Sequence, residues 1–448
     1  MKTFGSRGFG RNGYRKALPV VLALVMAFVL SACSGGGDSG NAANGGNGGA
    51  GAGTGKKQTI TVWHGAGGEG GKFLDGLVKE YNDSQSAVQV KLVFVDPNTM
   101  VQKLTAAAAG KALPDAGLLM WPQWAGPLKD VILPLDEKIA AEPDKWKDSD
   151  FLDNLLDGNV RFGGVTYGFP METNNLALYY NKKLFAEANV QPPATWDELV
   201  AAAQKLTNPS KKQWGIELPT TKGGTLDFIW DTFLWQAGGE YANPEGTDIL
   251  FNSDAGEQAT QLWVDLVNKY KAASIAPPQN GFQTGLIAMT LTGPWSIPGY
   301  KAAKLDFGVV PLPAGPSGKA TSLGGTNNFI FKSTPEKENA AWDFLTWLAS
   351  PEISAKFAAG YGSIPVRQSA AEQKAWTDFV ASTPEIKVHQ DSYAFGKIRP
   401  YNLTTYAEIS DIVSEHIEAA LQNKETPETA MKKAYDESKP LVKTWVTP

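Results

Sequence analysis

Apolar and polar residues recur with clear periods from Thr59 onward. Thr59 to His64 (TITVWH) is β-rich, and the spacing from about Gly70 to Asn82 predicts a helix. Val88 to Val95 (VQVKLVFV) alternates and predicts a second strand. An alanine-rich helix follows near Met100–Ala109, ended by Gly110, and Ala116–Met120 reads as a short buried strand. Strand, helix, strand, helix, strand implies an α/β architecture with a parallel sheet and helices on its faces. In such sheets ligands bind beyond the carboxyl ends of the strands. His64-Gly65-Ala66-Gly67-Gly68-Glu69 and Trp121-Pro122-Gln123-Trp124 lie at such ends.

Further along, helix starts are well marked. Thr195-Trp196-Asp197-Glu198 fits a capping box. Thr334-Pro335-Glu336, Ser350-Pro351-Glu352, Thr383-Pro384-Glu385 and Thr426-Pro427-Glu428 each place a hydroxyl before a proline and then an acid. A capping hydroxyl, a proline at the first helical position and a carboxylate near the helix dipole are the expected order. Trp263, Leu266, Val267 and Tyr270 repeat at helical spacing, as do Trp342 and Leu345, and read as core. His416 lies among Ile409, Ile412, Val413, Ile417 and Leu421 and reads as a histidine at a core border. Pro311-Leu312-Pro313-Ala314-Gly315-Pro316 reads as a crossing between domains.

The N-terminal region follows different rules. Lys2, Arg7, Arg11, Arg15 and Lys16 precede a mostly apolar run from Leu18 to Leu30. The layout is that of a secretory signal, and the run is shorter than the ~20 apolar residues a membrane-spanning helix needs. It ends in Leu30-Ser31-Ala32-Cys33, which resembles a lipobox and holds the chain's single cysteine. Residues 1–32 therefore read as a lipoprotein signal peptide and Cys33 as the lipidated N-terminus, expected to hold the protein at the outer face of the membrane. Residues 33–55 add a tether, with 11 glycines among the 22 residues from Ser34 to Gly55. Such a chain has a root-mean-square reach of roughly 26 Å.

Removing residues 1–32 moves the formal net charge from −5 to −10, because that segment carries five cations and no acid. An acidic mature chain is a poor partner for nucleic acid. The length beyond Lys56 exceeds one typical core and predicts two domains. Catalytic signatures are lacking: there is no GxSxG, the one thiol belongs to the anchor, and the three histidines fall outside any metal-binding spacing. The pattern calls for no catalytic residue, metal or cofactor, and favours a binder over an exported carbohydrate-active enzyme. The 14 tryptophans are the compositional outlier, and large amphipathic rings suit a ligand cleft as well as a core.

Several segments resemble the sugar-binding proteins of ATP-binding cassette importers, the extracellular solute-binding family that includes maltose-binding protein. Phe282-Gln283-Thr284-Gly285 through Ala288-Met289-Thr290 to Gly293-Pro294-Trp295 is similar to that family's F-x-x-G-x-x-A-M-x-x-x-G-P-W. Tyr167-Gly168-Phe169-Pro170, Leu178-Tyr179-Tyr180-Asn181-Lys182 and Trp235-Gln236-Ala237-Gly238-Gly239 extend the likeness, which runs from about Lys56 to Trp445. The resemblance implies a type II periplasmic-binding-protein fold with a ligand cleft between two lobes. Lobe one would comprise 56–172 plus 312–364, lobe two 175–309 plus 367–448, with Thr173-Asn174-Asn175 in the first hinge. It also implies a carbohydrate ligand, a permease partner and a monomer.

By the same resemblance Trp295 is the stacking tryptophan of the cleft, and Trp121 or Trp124 supplies an aromatic from lobe one. Asn174 takes a position that is acidic in maltose-binding protein. Asp227 and Trp230 lie in a segment that contributes to the cleft in relatives, and Tyr406 corresponds to a late cleft aromatic preceded by Arg399. His64 and Glu69 belong to a loop that supplies polar contacts. Trp63-His64 and Gly68-Glu69-Gly70-Gly71-Lys72 resemble the opening of glycerol-3-phosphate-binding relatives, so a polyol phosphate held by Arg399 is the alternative ligand.

Overall fold

The computed structural model describes residues 57–152 and 155–445. The predicted signal peptide, Cys33 and the predicted tether lie outside the described residues. Among the described residues no helix is long and apolar enough to cross a membrane.

The chain opens with β1 (Gln58–His64), α1 (Gly68–Ser84), β2 (Val88–Phe94), α2 (Pro97–Ala109) and β3 (Ala116–Met120). Each lies within a few residues of the limits that periodicity predicts. β1 pairs in parallel with β2 on one side and β3 on the other, which requires the helical crossovers that α1 and α2 provide. A long strand, Thr321–Ile330, adds antiparallel to β3. Its start takes the short strand Gly396–Ile398 in parallel, and its other edge carries Gly168–Asn175 antiparallel. The first sheet thus has six strands. A second, four-stranded sheet has the order 307–310, 177–181, 287–292, 214–217. Asn175 ends a strand of the first sheet and Ala177 begins one of the second. The chain returns to the first sheet through the proline-rich segment between Val310 and Thr321.

Ile60, Val62 and Leu118 of the first sheet share a core with Trp342, Phe344 and Leu345. Trp263, Leu266 and Val267 are buried with Phe233, Ile409, Val413 and Ile417, and Tyr270 packs at the edge of that cluster. His416 stands at its border, with Nδ1 2.9 Å from Glu425 and Nε2 3.3 Å from Glu437. The helix starts sit where the proline signals put them, but the capping is more varied. Thr195 accepts the Glu198 N–H at 3.3 Å, while the Glu198 carboxylate returns to the N–H of Ala194 at 2.7 Å. Of the four Pro-Glu starts only Thr426 caps with its side chain, to Thr429 N–H. The Thr334 hydroxyl bonds instead to the carboxylate of Glu336.

A buried polar relay pins the end of strand 168–175. The Asn175 side chain donates to the carbonyl of His389 at 2.8 Å, so its oxygen faces the imidazole and accepts from Nδ1 at 2.8 Å. Nε2 then accepts from the Tyr179 hydroxyl at 2.8 Å, and that hydroxyl lies 3.0 Å from the carbonyl of Gly293. His389 is fully buried. Burial lowers its pKa to about 3, against a smaller opposing effect of the Asn175 backbone.

This relay has a thermodynamic signature. His389→Gln should lower stability at pH 7 by about 1–3 kcal/mol, because it leaves buried partners unpaired. Below pH 6.5 the unfolded imidazole takes up a proton that the folded one, at about 3, refuses. Wild-type stability therefore falls with pH in that window, and the gap between wild type and variant narrows by at most about 1.4 kcal/mol per pH unit. Calorimetric melts between pH 7 and pH 4 test this, and a constant gap would mean that His389 is not held neutral.

Candidate ligand-binding cleft

Where the two sheets meet, the carboxyl end of β3 and the turn after strand 287–292 face one another across a cavity of about 340 Å³. Leu119 reaches this wall in the left-handed region, at φ 57°. Its N–H is taken by Oδ1 of Asn328 at 3.1 Å, on the long strand, where the register beside β3 shifts. The kink ends β3 and turns the half-buried Trp121 onto the cavity. On the opposite wall, Gly293-Pro294-Trp295 starts a short 3₁₀ turn. The Trp295 ring folds back over Gly293 so closely that a Cβ there would lie 1.9 Å from it, which explains the glycine of this motif. Trp295 is 37 % exposed, one of the few large apolar side chains left open among the described residues.

The floor comes from the paired strands 168–175 and 321–330. Glu172 and Asn174, two residues apart and on one strand face, both line the cavity. Asn174 Nδ2 donates to Glu172 at 3.0 Å, and Thr326 Oγ1 donates to it at 2.9 Å. Gly325 adopts φ +138°, and a Cβ there would meet the Glu172 carbonyl at 2.3 Å. Phe228 of helix 224–236, Tyr361 at the end of helix 351–361, Gln123 and Arg399 complete the wall.

Arg399 is buried, its guanidinium stacked 4.7 Å from the Phe228 ring and 5.7 Å from that of Tyr406. Burial opposes its charge, but Tyr401, Tyr406, Asp231 and Asp227 more than offset this. The Tyr406 hydroxyl donates to Asp227 at 2.6 Å and lies 3.2 Å from Asp231. Burial raises the pKa of both carboxyls, and the charge of Asp227 raises that of Asp231 further. A second, wider groove of about 1080 Å³ opens on the far side of Arg399, beside Trp235 and Trp445. It draws on neither β3 nor the Gly293–Trp295 turn, so it lacks the facing tryptophans of the smaller cavity.

Of the residues singled out from the sequence, the cavity brings together Trp295, Trp121, Asn174 and Arg399. The other six stand elsewhere. Trp124 is buried, because one 3₁₀ turn after Trp121 directs it inward, with the two rings 4.9 Å apart. Trp230 is fully buried in its helix and donates to Thr260 at 3.1 Å, which makes it core. Asp227 and Tyr406 form a buried polar cluster behind Arg399 rather than facing ligand. His64 is buried edge-on to Phe94, and its burial lowers its pKa despite Asp75. Glu69 is exposed and paired with Lys72 at 2.7 Å. Glu172, Tyr361, Phe228, Gln123 and Thr326 were not anticipated. Gln123 carried the signal of its segment at the carboxyl end of β3, and Glu172 its two-residue spacing from Asn174 on an extended segment.

Two sheets joined by chain crossings at a polar, tryptophan-walled cavity agree with a match of residues 76–387 to one protein family. The chain belongs to the bacterial extracellular solute-binding proteins. It is 26 % identical over 352 residues to the maltotriose-binding protein of Pyrococcus abyssi, covering 75 % of this chain and 71 % of that one. It is likewise 26 % identical over 401 residues to an sn-glycerol-3-phosphate-binding periplasmic protein of Brucella abortus, covering 84 % and 91 %. Among solved structures, the cyclic α-maltosyl-1,6-maltose binding protein of Arthrobacter globiformis superposes with a TM-score of 0.71. That pair is 28 % identical and covers 86 % of this chain and 99 % of that one.

The exposure of Trp295 separates two roles for it. Trp295→Ala should weaken ligand binding by about 1–3 kcal/mol while leaving the melting temperature nearly unchanged. Trp230→Ala should behave oppositely, costing about 3–5 kcal/mol of stability. A large melting shift in the Trp295 variant with unchanged affinity would assign its ring to the scaffold.

Proposed function

We propose that this solute-binding protein captures a carbohydrate, most simply an oligosaccharide, and delivers it to the permease of an ATP-binding cassette importer. The observation that carries the reading is the pair Trp121 and Trp295, each following a strand of a different sheet and lining one cavity with Asn174, Gln123 and Glu172. Aromatic faces cover the apolar face of a pyranose while amides and carboxylates take its hydroxyls. The lobes would be 56–172 plus 312–364 and 175–309 plus 367–448, hinged at Thr173-Asn174-Asn175. Ligand touching both would favour the closed form by its differential affinity, and the permease would recognise that form. The protein would act as a monomer, held outside the cell membrane by lipid on Cys33.

Turnover is no part of this reading. Glycoside hydrolysis uses two carboxyl groups flanking one bond, and Glu172 is the one carboxylate among the residues lining the cavity. A second ligand class, a polyol phosphate, is favoured by one feature. Arg399 lines the cavity with Nε and Nη1 unpartnered, and a guanidinium fork suits phosphate.

A ligand panel decides between them. Maltotriose or a related oligosaccharide should change tryptophan fluorescence and raise stability by about 2.7 kcal/mol at a hundredfold excess over Kd. A response to glycerol 3-phosphate alone would select the second class. Silence across both classes would overturn the reading of the cleft.

A further inference from the structure

Among the described residues no cation forms an ion pair with the Glu172 carboxylate. It is 3 % exposed, and its side-chain partners are the neutral donors Asn174 and Thr326. A carboxylate offers about four acceptor positions; Asn174, the Thr326 hydroxyl and the Thr326 N–H take three of them, which leaves one for a ligand. Two other titratable groups line the cavity with it. Tyr361, from the end of helix 351–361, holds its proton more tightly through burial and the charge of Glu172. Arg399, following strand 396–398, has its charge answered by Asp231 and Asp227 behind the wall. A buried anion with such neighbours is costly unless it is well hydrogen-bonded or gives way to the neutral acid. Burial accordingly raises the Glu172 carboxyl to about 7, with the bonds from Asn174 and Thr326 opposing.

We propose that Glu172 reads the ligand through its proton: in the empty cleft it exchanges between neutral acid and carboxylate near neutral pH, and a ligand hydroxyl shifts it to the carboxylate acceptor. The Glu172 proton passes to the solvent buffer, the ligand keeps its own, and a ligand O–H to carboxylate hydrogen bond forms. The direction follows from burial. Glu172 has little solvation left to lose, so an added donor stabilises the charged form with little further desolvation. The device selects neutral polyhydroxy ligands over anions, which would meet repulsion from the carboxylate it generates. It rests on the sugar reading of the cleft.

Titration calorimetry with maltotriose near pH 7, in buffers of different ionisation enthalpy, tests the coupling. Wild type should release about half a proton per ligand at the midpoint of about 7, and its affinity should rise by up to about tenfold from pH 6 to pH 8. Glu172→Gln, checked for folding by its melt, should release none and bind with flat pH dependence. Binding without proton release in wild type, or release that persists in the variant, overturns the proposal. Failure of maltotriose to bind at all would strike the sugar reading. The melt of the empty protein then judges the protonation on its own. Wild type should lose stability relative to E172Q as pH rises from about 4.5 to about 7 and level off above, because in that range the folded acid keeps a proton that the unfolded one has given up. An unchanged difference across that range overturns it too.

Discussion

The pairing of strand 168–175 with strand 321–330 is the constraint on which the rest of this molecule depends. All eight residues of the first are buried, although they read Gly-Phe-Pro-Met-Glu-Thr-Asn-Asn. Burying that much polarity is tolerable only when each group finds a partner. Thr173 donates to the carbonyl of Gly324, Asn175 to that of His389, and Asn327 to that of Asn159. Asn328 takes the N–H of Leu119. The satisfied polar groups place the end of β3, the exit of the chain toward the second sheet and the floor of the cavity in one network. A hydrophobic strand here would hold the sheet equally well and leave the cleft without hydrogen-bonding capacity.

That network also explains what could be read from the chain and what could not. The β1-α1-β2-α2-β3 succession was legible because the first four elements repeat with their own periods, while β3 is a short apolar run buried throughout. Strand 168–175 has no such alternation. Its burial answers to partners far away in sequence, so periodicity is blind to it. The tryptophans divide on the same principle. Trp295 and Trp121 were legible from the motif and the strand end. Trp124 and Trp230 differ from them only in the direction of the side chain, which residue type does not encode. Asp227 and Tyr406, each expected in the cleft, are joined by a hydrogen bond and support Arg399 from behind. Glu172 escaped notice because a lone acid in an acidic chain is unremarkable until burial makes it costly.

Cleft and crossing share atoms. Asn174, Glu172 and Thr326 line the cavity and belong to the strands through which the chain leaves one sheet and returns to it. The turn bearing Trp295 is tied to the same place, since the Gly293 carbonyl lies beside the Tyr179 hydroxyl that reaches His389 and, through it, Asn175. A ligand resting on these groups would therefore act on the crossing directly, with no separate transmission path. Its leverage is its differential affinity for the closed arrangement.

The most direct test of a ligand clamped between hinged halves is small-angle X-ray scattering of the purified protein with and without saturating maltotriose. Closure predicts a smaller radius of gyration and a shorter maximum dimension on addition of sugar. Superimposable profiles from samples in which binding has been verified by calorimetry would contradict the clamp.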